Sequence, residues 1–142
     1  MIVSDDDGLE RMLDHDTVAV VGCSTTPGKA AHDIPAYLKR HGYRIVPVNP
    51  FADEVLEETA YDSLADVPDA VDVGLVNVFR PSEEAGGIVD AAIERANDQG
   101  DVSAVWLQLD IRDSEAGERA AAAGLDFVHN KCIKVEHRRL RG

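Results

Sequence analysis

The segment Gly22-Cys23-Ser24-Thr25-Thr26-Pro27-Gly28-Lys29 gathers small residues, two kinds of hydroxyl and one ammonium group. Small residues let the backbone approach a ligand closely. Hydroxyls and free N–H groups at a helix start suit a phosphate, and Lys29 adds a countercharge. An ordinary Gly-Ser turn has a similar composition, so the segment alone does not identify a ligand. It lacks the Gly-Lys-Ser/Thr of a P-loop. It also departs from the dinucleotide fingerprint, because Ser24 and Pro27 stand where the second and third glycines belong. Further on, Pro47-Val48-Asn49-Pro50 offers no Asp or Glu to hold a ribose diol, which disfavours NAD.

Three further segments have similar character. In Val78-Phe79-Arg80-Pro81, the guanidinium can pair with a phosphate while the ring packs on a base. A surface arginine beside a core phenylalanine reads equally well. Trp106-Leu107-Gln108 holds the single tryptophan, and Asn130-Lys131-Cys132 follows a short apolar run. Each is weak alone, and their meaning depends on what positions them.

The surrounding sequence alternates between strand and helix signals. Residues 4–14 read as an acidic helix with Leu9, Met12 and Leu13 on one face, capped by Ser4 or an early Asp. The runs 17–22, 43–48, 71–78, 102–109 and 125–129 read as strands, and the first is a continuous β-branched stretch of the kind covered on both faces. Helices are expected at about 31–41, from Pro81 or Ser82 to Asn97, and at 114–123, with Gly42 and Gly124 closing two of them. Residues 51–60 read as a loop leading to a helical turn at Tyr61–Ala65, and the tail from Lys131 reads as mixed and basic. Such alternation predicts an α/β fold, a doubly wound parallel five-stranded sheet in three α/β/α layers. Ligands bind such sheets at the carboxyl ends of the strands. The polar segments above all fall there, so together they point to a nucleotide-like ligand.

Composition bounds the function. With 142 residues, 44% of them apolar, the chain suits one domain spanning 1–142, with an N-terminal helix in 1–16 and a tail at 130–142. No apolar run approaches the roughly 20 residues of a membrane span. The acidic start MIVSDDDGLE resembles neither a secretory signal nor a transit peptide, so a cytoplasmic location is expected. Asp and Glu number 27 against 14 Lys and Arg, a net charge of −13 that repels nucleic acid and anionic membranes. Either a basic partner docks on this surface or the protein is built for high salt. The dispersal of the acids favours the halophilic reading. His15, His41, His129 and His137 show no paired metal-ligand spacing, and no Gly-x-Ser-x-Gly elbow occurs.

The ordered set Val18-Ala19-Val20-Val21-Gly22, Ser24, Pro27, Lys29, then Gly42-Tyr43, Ile45, Pro47-Val48-Asn49-Pro50, then Val78-Phe79-Arg80, Trp106, Gln108 and Asn130-Lys131-Cys132 resembles the stand-alone CoA-binding protein family. This family is related to the CoA-binding domains of the succinyl-CoA synthetase alpha subunit and of acyl-CoA synthetases. The likeness runs from about Thr17 to His137. It implies a Rossmann-like fold that binds coenzyme A or an acyl-CoA. Gly22, Ser24, Thr25 and Lys29 would surround the phosphates, with Cys23 and Thr26 beside them. Pro47, Val48, Asn49 and Pro50 would line the nucleotide or pantetheine path, with Val78, Phe79 and Arg80 opposite and Gln108 and Asn130 nearby. Ala30-Ala31-His32 departs from the family's Pro-Ser-aromatic pattern, which leaves His32 as the candidate to cover the adenine.

The resemblance implies a non-catalytic binding or sensor module. The alternatives are an NAD(P)-type redox-sensing module and a CoA-site component of a multi-subunit acyl-CoA synthetase. The synthetase alpha subunit carries a second domain with a phosphorylated histidine, for which this chain has no room. A homodimer and an acyl-transfer partner protein both stay open. Cys23 near a helix N-terminus is expected to have a lowered thiol pKa. It could then form a mixed disulfide with CoA or pair with Cys132; the alternative is two buried, inert thiols.

Overall fold

The computed structural model describes residues 1–142. The chain runs α1 (Asp6–Leu13), β1 (Thr17–Val21), α2 (Ala30–Arg40), β2 (Arg44–Val48), β3 (Glu54–Val55), β4 (Glu58–Thr59), a 3-10 turn (Leu64–Asp66), β5 (Leu75–Val78), α3 (Ser82–Gln99), β6 (Ala104–Leu107), α4 (Ser114–Ala122), β7 (Asp126–Val128) and α5 (Ile133–Arg141). Five strands form one parallel sheet in the order β2-β1-β5-β6-β7, as the alternating pattern predicts. Their apolar runs are buried on both sides. Val18, Val20, Leu75 and Trp106 pack beneath α1, α2 and α5, while Ala19, Val21, Val76, Val105 and Leu107 pack beneath α3 and α4. The result is three layers, α/β/α.

The chain leaves β1 on one side to form β2, then crosses β1 to form β5. This reversal opens a crevice at the carboxyl ends of β1 and β5, where a parallel sheet receives ligands. The opposite end of the sheet is closed by buried polar contacts. Arg95 of α3 is 7% exposed and donates to the carbonyls of Val67 (2.7 Å), Pro68 (3.2 Å) and Val71 (2.8 Å), and to Asp101 (3.0 Å). The Tyr43 hydroxyl donates to the Leu13 carbonyl at 2.6 Å, and the Tyr37 hydroxyl meets His137 Nδ1 at 2.7 Å.

Several local features differ from the sequence expectation. The tail, read from sequence only as mixed and basic, forms helix α5. Ile133 and His137, one turn apart, are buried on one face, while Arg139 bonds Asp6 of α1 at 2.7 Å and Arg141 pairs with Asp14. Residues 51–60 contain the β3–β4 hairpin, whose turn residues Leu56 and Glu57 take φ values of 54° and 65° and whose Leu56 carbonyl accepts from Lys39 Nζ. The third sheet strand begins at Leu75 because residues ahead of it are drawn into other contacts; the Val71 carbonyl serves Arg95 and the Val73 amide bonds Asp101. At the N-terminus Asp5 caps α1 through a 2.9 Å bond from the Gly8 amide. Val3 and Met1 pair with Phe127, covering the β7 edge that would otherwise be open to intermolecular pairing. No helix is long and apolar enough to cross a membrane.

Candidate functional site

A cleft of about 760 Å³ lies at the crevice between β1 and β5, a size typical of small-molecule sites. One wall is the β1–α2 loop, with Gly22, Cys23, Ser24 and Lys29. A second is the end of β2, Val48 to Phe51, followed by Asp62 and Ser63 ahead of the 3-10 turn and by Leu64, its first residue. The third is Phe79 and Arg80 with the face of α3 formed by Glu84, Gly87, Ile88 and Ala91. Polar groups gather at the β1–α2 loop, and Ile88 and Ala91 of α3 with Leu64 give the groove between α3 and the 3-10 turn an apolar lining beside Asp62, Ser63 and Glu84.

Local sequence explains the loop's shape. Pro35 sits inside α2 and has no N–H for the Ala31 carbonyl one turn back. That carbonyl accepts instead from the Ser24 amide at 2.9 Å, fastening the loop to the helix. The Ser24 hydroxyl accepts from the Thr26 amide at 3.0 Å, and Asp33 accepts from the Gly28 amide at 3.1 Å and from His32 Nδ1 at 2.9 Å. These contacts, the one with His32 first, hold the Asp33 carboxyl below its ordinary pKa. The sequence expectation of free amides is therefore only partly met, since those of Ser24, Thr26 and Gly28 are engaged. The amides of Thr25, Ala30 and Ala31 have no acceptor within the protein, and Lys29 caps α2 with no side-chain bond. Unpartnered donors at a helix start, beside an ammonium, form an anion cradle.

Arg80 reaches across from β5. A side chain at Gly22, where φ is +89°, would stand 2.8 Å from Arg80 Cδ, so glycine serves both the turn and the passage of the arginine. The guanidinium pairs with Glu84 one turn into α3 at 2.8 Å, with both side chains about half exposed. Asn49 ties two walls together: its amide nitrogen donates to the Cys23 carbonyl at 2.9 Å, and its oxygen accepts from the Phe51 amide at 2.8 Å. Cys23 is fully buried, and burial pushes its thiol pKa up to about 12. This is opposite to the depression expected from the neighbouring helix start, because desolvation outweighs the helix dipole. Both cysteines are free thiols.

Of the residues singled out from sequence, Gly22, Cys23, Ser24, Lys29, Val48, Asn49, Pro50, Phe79 and Arg80 border the cleft together. Thr25 and Thr26 are exposed in the loop beside it, and His32 lies in the first turn of α2 against Asp33. Pro47 and Val78 lie within β2 and β5. Gln108 is buried behind the cleft, where its amide oxygen accepts from Asn77 Nδ2 at 3.1 Å and from the Ile133 amide at 3.0 Å. Asn130, at φ 59°, accepts from the Asp110 amide at 2.9 Å and braces two loops. Sequence reasoning missed Phe51, the 3-10 turn residues and the α3 face. The i, i+3, i+4, i+7 spacing of Glu84, Gly87, Ile88 and Ala91 is a visible signal, but only the crossing of α3 over the sheet shows that this face meets a cleft.

Residues 16–138 match the model of a family described as a CoA binding domain. The chain is 34% identical over 120 residues to an uncharacterized protein, YneT, of Bacillus subtilis, covering 84% of each. It is 37% identical over 107 residues to the ADP-forming acetate–CoA ligase II of Archaeoglobus fulgidus, spanning 74% of this chain but 15% of that one. Among solved structures, a hypothetical protein from Pyrococcus horikoshii superposes with a TM-score of 0.87 at 34% identity, covering 99% of this chain and 94% of that one. The dinucleotide-forming acetyl-coenzyme A synthetase 1 of Ca. Korarchaeum cryptofilum, in complex with phosphate and ADP, gives a TM-score of 0.68 at 26% identity, covering 84% of this chain and 26% of that one.

Proposed function

Because the chain belongs to the CoA-binding domain family, we propose that it binds coenzyme A, free or as an acyl thioester, in the cleft at the carboxyl end of β1 and β5, as a binding or sensor module. The observation that carries this reading is the set of unpartnered amides at Thr25, Ala30 and Ala31, at the edge of a cleft that Lys29 and Arg80 line. In a protein of net charge −13 the cleft is locally balanced, with Lys29 and Arg80 standing against Asp62 and Glu84. CoA's phosphates suit those amides, and its neutral portions suit the apolar groove. A role without covalent chemistry is supported by the state of Cys23, the cleft's only thiol, which burial keeps protonated.

Native mass spectrometry of the purified protein, followed by calorimetric titration with CoA, tests the reading. A retained CoA mass or saturable CoA binding is expected. A retained NAD mass, or no heat with CoA, overturns it. A second reading, that the chain supplies a CoA site to a separate catalytic subunit, is favoured by its match to only 15% of the A. fulgidus ligase. Co-purification of an acyl-transferring partner would decide for it. We further propose a cytoplasmic, salt-adapted protein. Its Tm is expected to rise in molar KCl, and a fall would count against salt adaptation.

A further inference from the structure

Helix α3 carries two adjacent glycines, Gly86 and Gly87, in its first half. Glycine disfavours a helix interior, because it exposes backbone and loses the most chain entropy on ordering. Gly86 has a packing reason: a Cβ there would stand 3.0 Å from a carboxylate oxygen of Asp113, the residue that caps α4. Gly87 has none. Its backbone is ordinary helix and a Cβ would meet nothing within 4 Å. Yet Gly87 borders the cleft, in the groove formed by Ile88 and Ala91 on the same helix and Leu64 across from them. Gly87 is exposed on the cleft wall, so a side chain there would project from that wall into open space.

We infer that Gly87 is a specificity-determining position, whose missing side chain makes room for a neutral, largely apolar part of the bound ligand against α3. The inference rests on the CoA reading above and names where that ligand is tightly fitted. Two parts of CoA have this chemistry, the adenine ring and the pantetheine chain. The polar rim at Lys29 and Arg80 is the place for the phosphates and leaves the groove for one of these.

The test uses Gly87→Ala and Gly87→Leu, each titrated with CoA and with ADP and melted without ligand. Alanine in open helix surface should raise Tm by about 2–4 °C. The same methyl group should weaken CoA binding about tenfold, and leucine should weaken it further, since overpacking a fitted site is costly. A stability gain coupled to an affinity loss is a pattern that a purely structural glycine would not give. Parallel losses for CoA and ADP support the inference and assign the groove to the ring. A loss for CoA alone supports it and assigns the groove to the chain. Unchanged CoA affinity in both variants overturns it, and so does a fall in Tm that accompanies the affinity loss. Wild-type protein that binds no CoA overturns the parent reading and this inference with it, a result distinguishable from failure at Gly87 alone.

Discussion

The two ends of the parallel sheet use their polar groups in opposite ways. At the amino end, donors and acceptors satisfy one another. Arg95 serves three carbonyls and Asp101, while Asp101 also accepts from the amides of Val73 and Val102. Tyr37, Tyr43, His137 and Arg141 close the neighbouring corner. At the carboxyl end, three amides have no partner, the Lys29 ammonium bonds nothing, and Arg80 is held only by a half-exposed glutamate. A saturated polar cluster is structure, because breaking it strands a buried group; spare capacity around a cleft is room for a ligand.

The sharpest way to break this contrast is to mutate the saturated end. Arg95→Met leaves Asp101, 6% exposed, without its counterion. Loss of one partner of a buried ion pair costs about 3–5 kcal/mol. A fall in Tm on the order of 10 °C is therefore expected, with CoA affinity of the folded protein unchanged. A well-folded variant with impaired binding would mean that the two ends are not separate in role.

Mutation of the cleft should do the reverse. Lys29→Ala and Arg80→Ala each remove a charge-assisted contact, worth about 1.5–3 kcal/mol when desolvated. Because both groups are partly exposed, a loss of about tenfold in CoA affinity is expected from each. Tm should barely move, since Arg80's ion pair lies at the surface. Calorimetry showing unaltered affinity for Arg80→Ala would remove it from the site.

The saturated corner should also sense acid. Burial first, then the neighbouring His41 and Arg141, lower the His137 pKa below its ordinary 6.5. The unfolded chain therefore takes up this proton at a higher pH than the folded one. The stability contributed by neutral His137 is complete above about pH 6.5 and declines as pH falls through 6.5 toward the lower folded value. Melts at pH 7.5 and 5.5 should show a smaller drop for His137→Gln than for wild type. Equal drops would place the titration elsewhere.

The strands were legible because runs such as Val18–Val21 are apolar without alternation, which only a sheet covered on both faces accommodates. The cleft's loops were legible because strand ends in such a sheet share one edge. Helix α5 was not. Its buried face rests on little more than Ile133 and a histidine, Val135 is 55% exposed, and its arginines find partners from Asp6 to Asp14, more than a hundred residues away. For Cys23 the lowered thiol pKa fails and the buried, inert alternative fits, because position along the chain gives proximity to a helix start but not depth of burial. The face of α3 was hidden for a related reason, since periodicity gives a face without saying what it faces.

Glu84 lies on that face and supplies the smallest and most discriminating prediction. It occupies the Arg80 guanidinium at 3.3 Å and 2.8 Å from its two carboxylate oxygens, inside the same cleft. A bound phosphate must take this guanidinium from Glu84 and tolerate the carboxylate beside it. Neutralising the residue while keeping its shape, as in Glu84→Gln, removes both the competitor and the repulsion. An exposed pair of this type is worth up to about 1 kcal/mol, so CoA affinity should rise by about two- to fivefold. The gain should shrink in high salt, where the carboxylate is already screened. Titrations of wild type and Glu84→Gln at low and high KCl therefore test Arg80 without deleting it. Tighter binding only at low salt fits direct competition, whereas weaker binding at every salt would mean that Glu84 orients the arginine for the ligand.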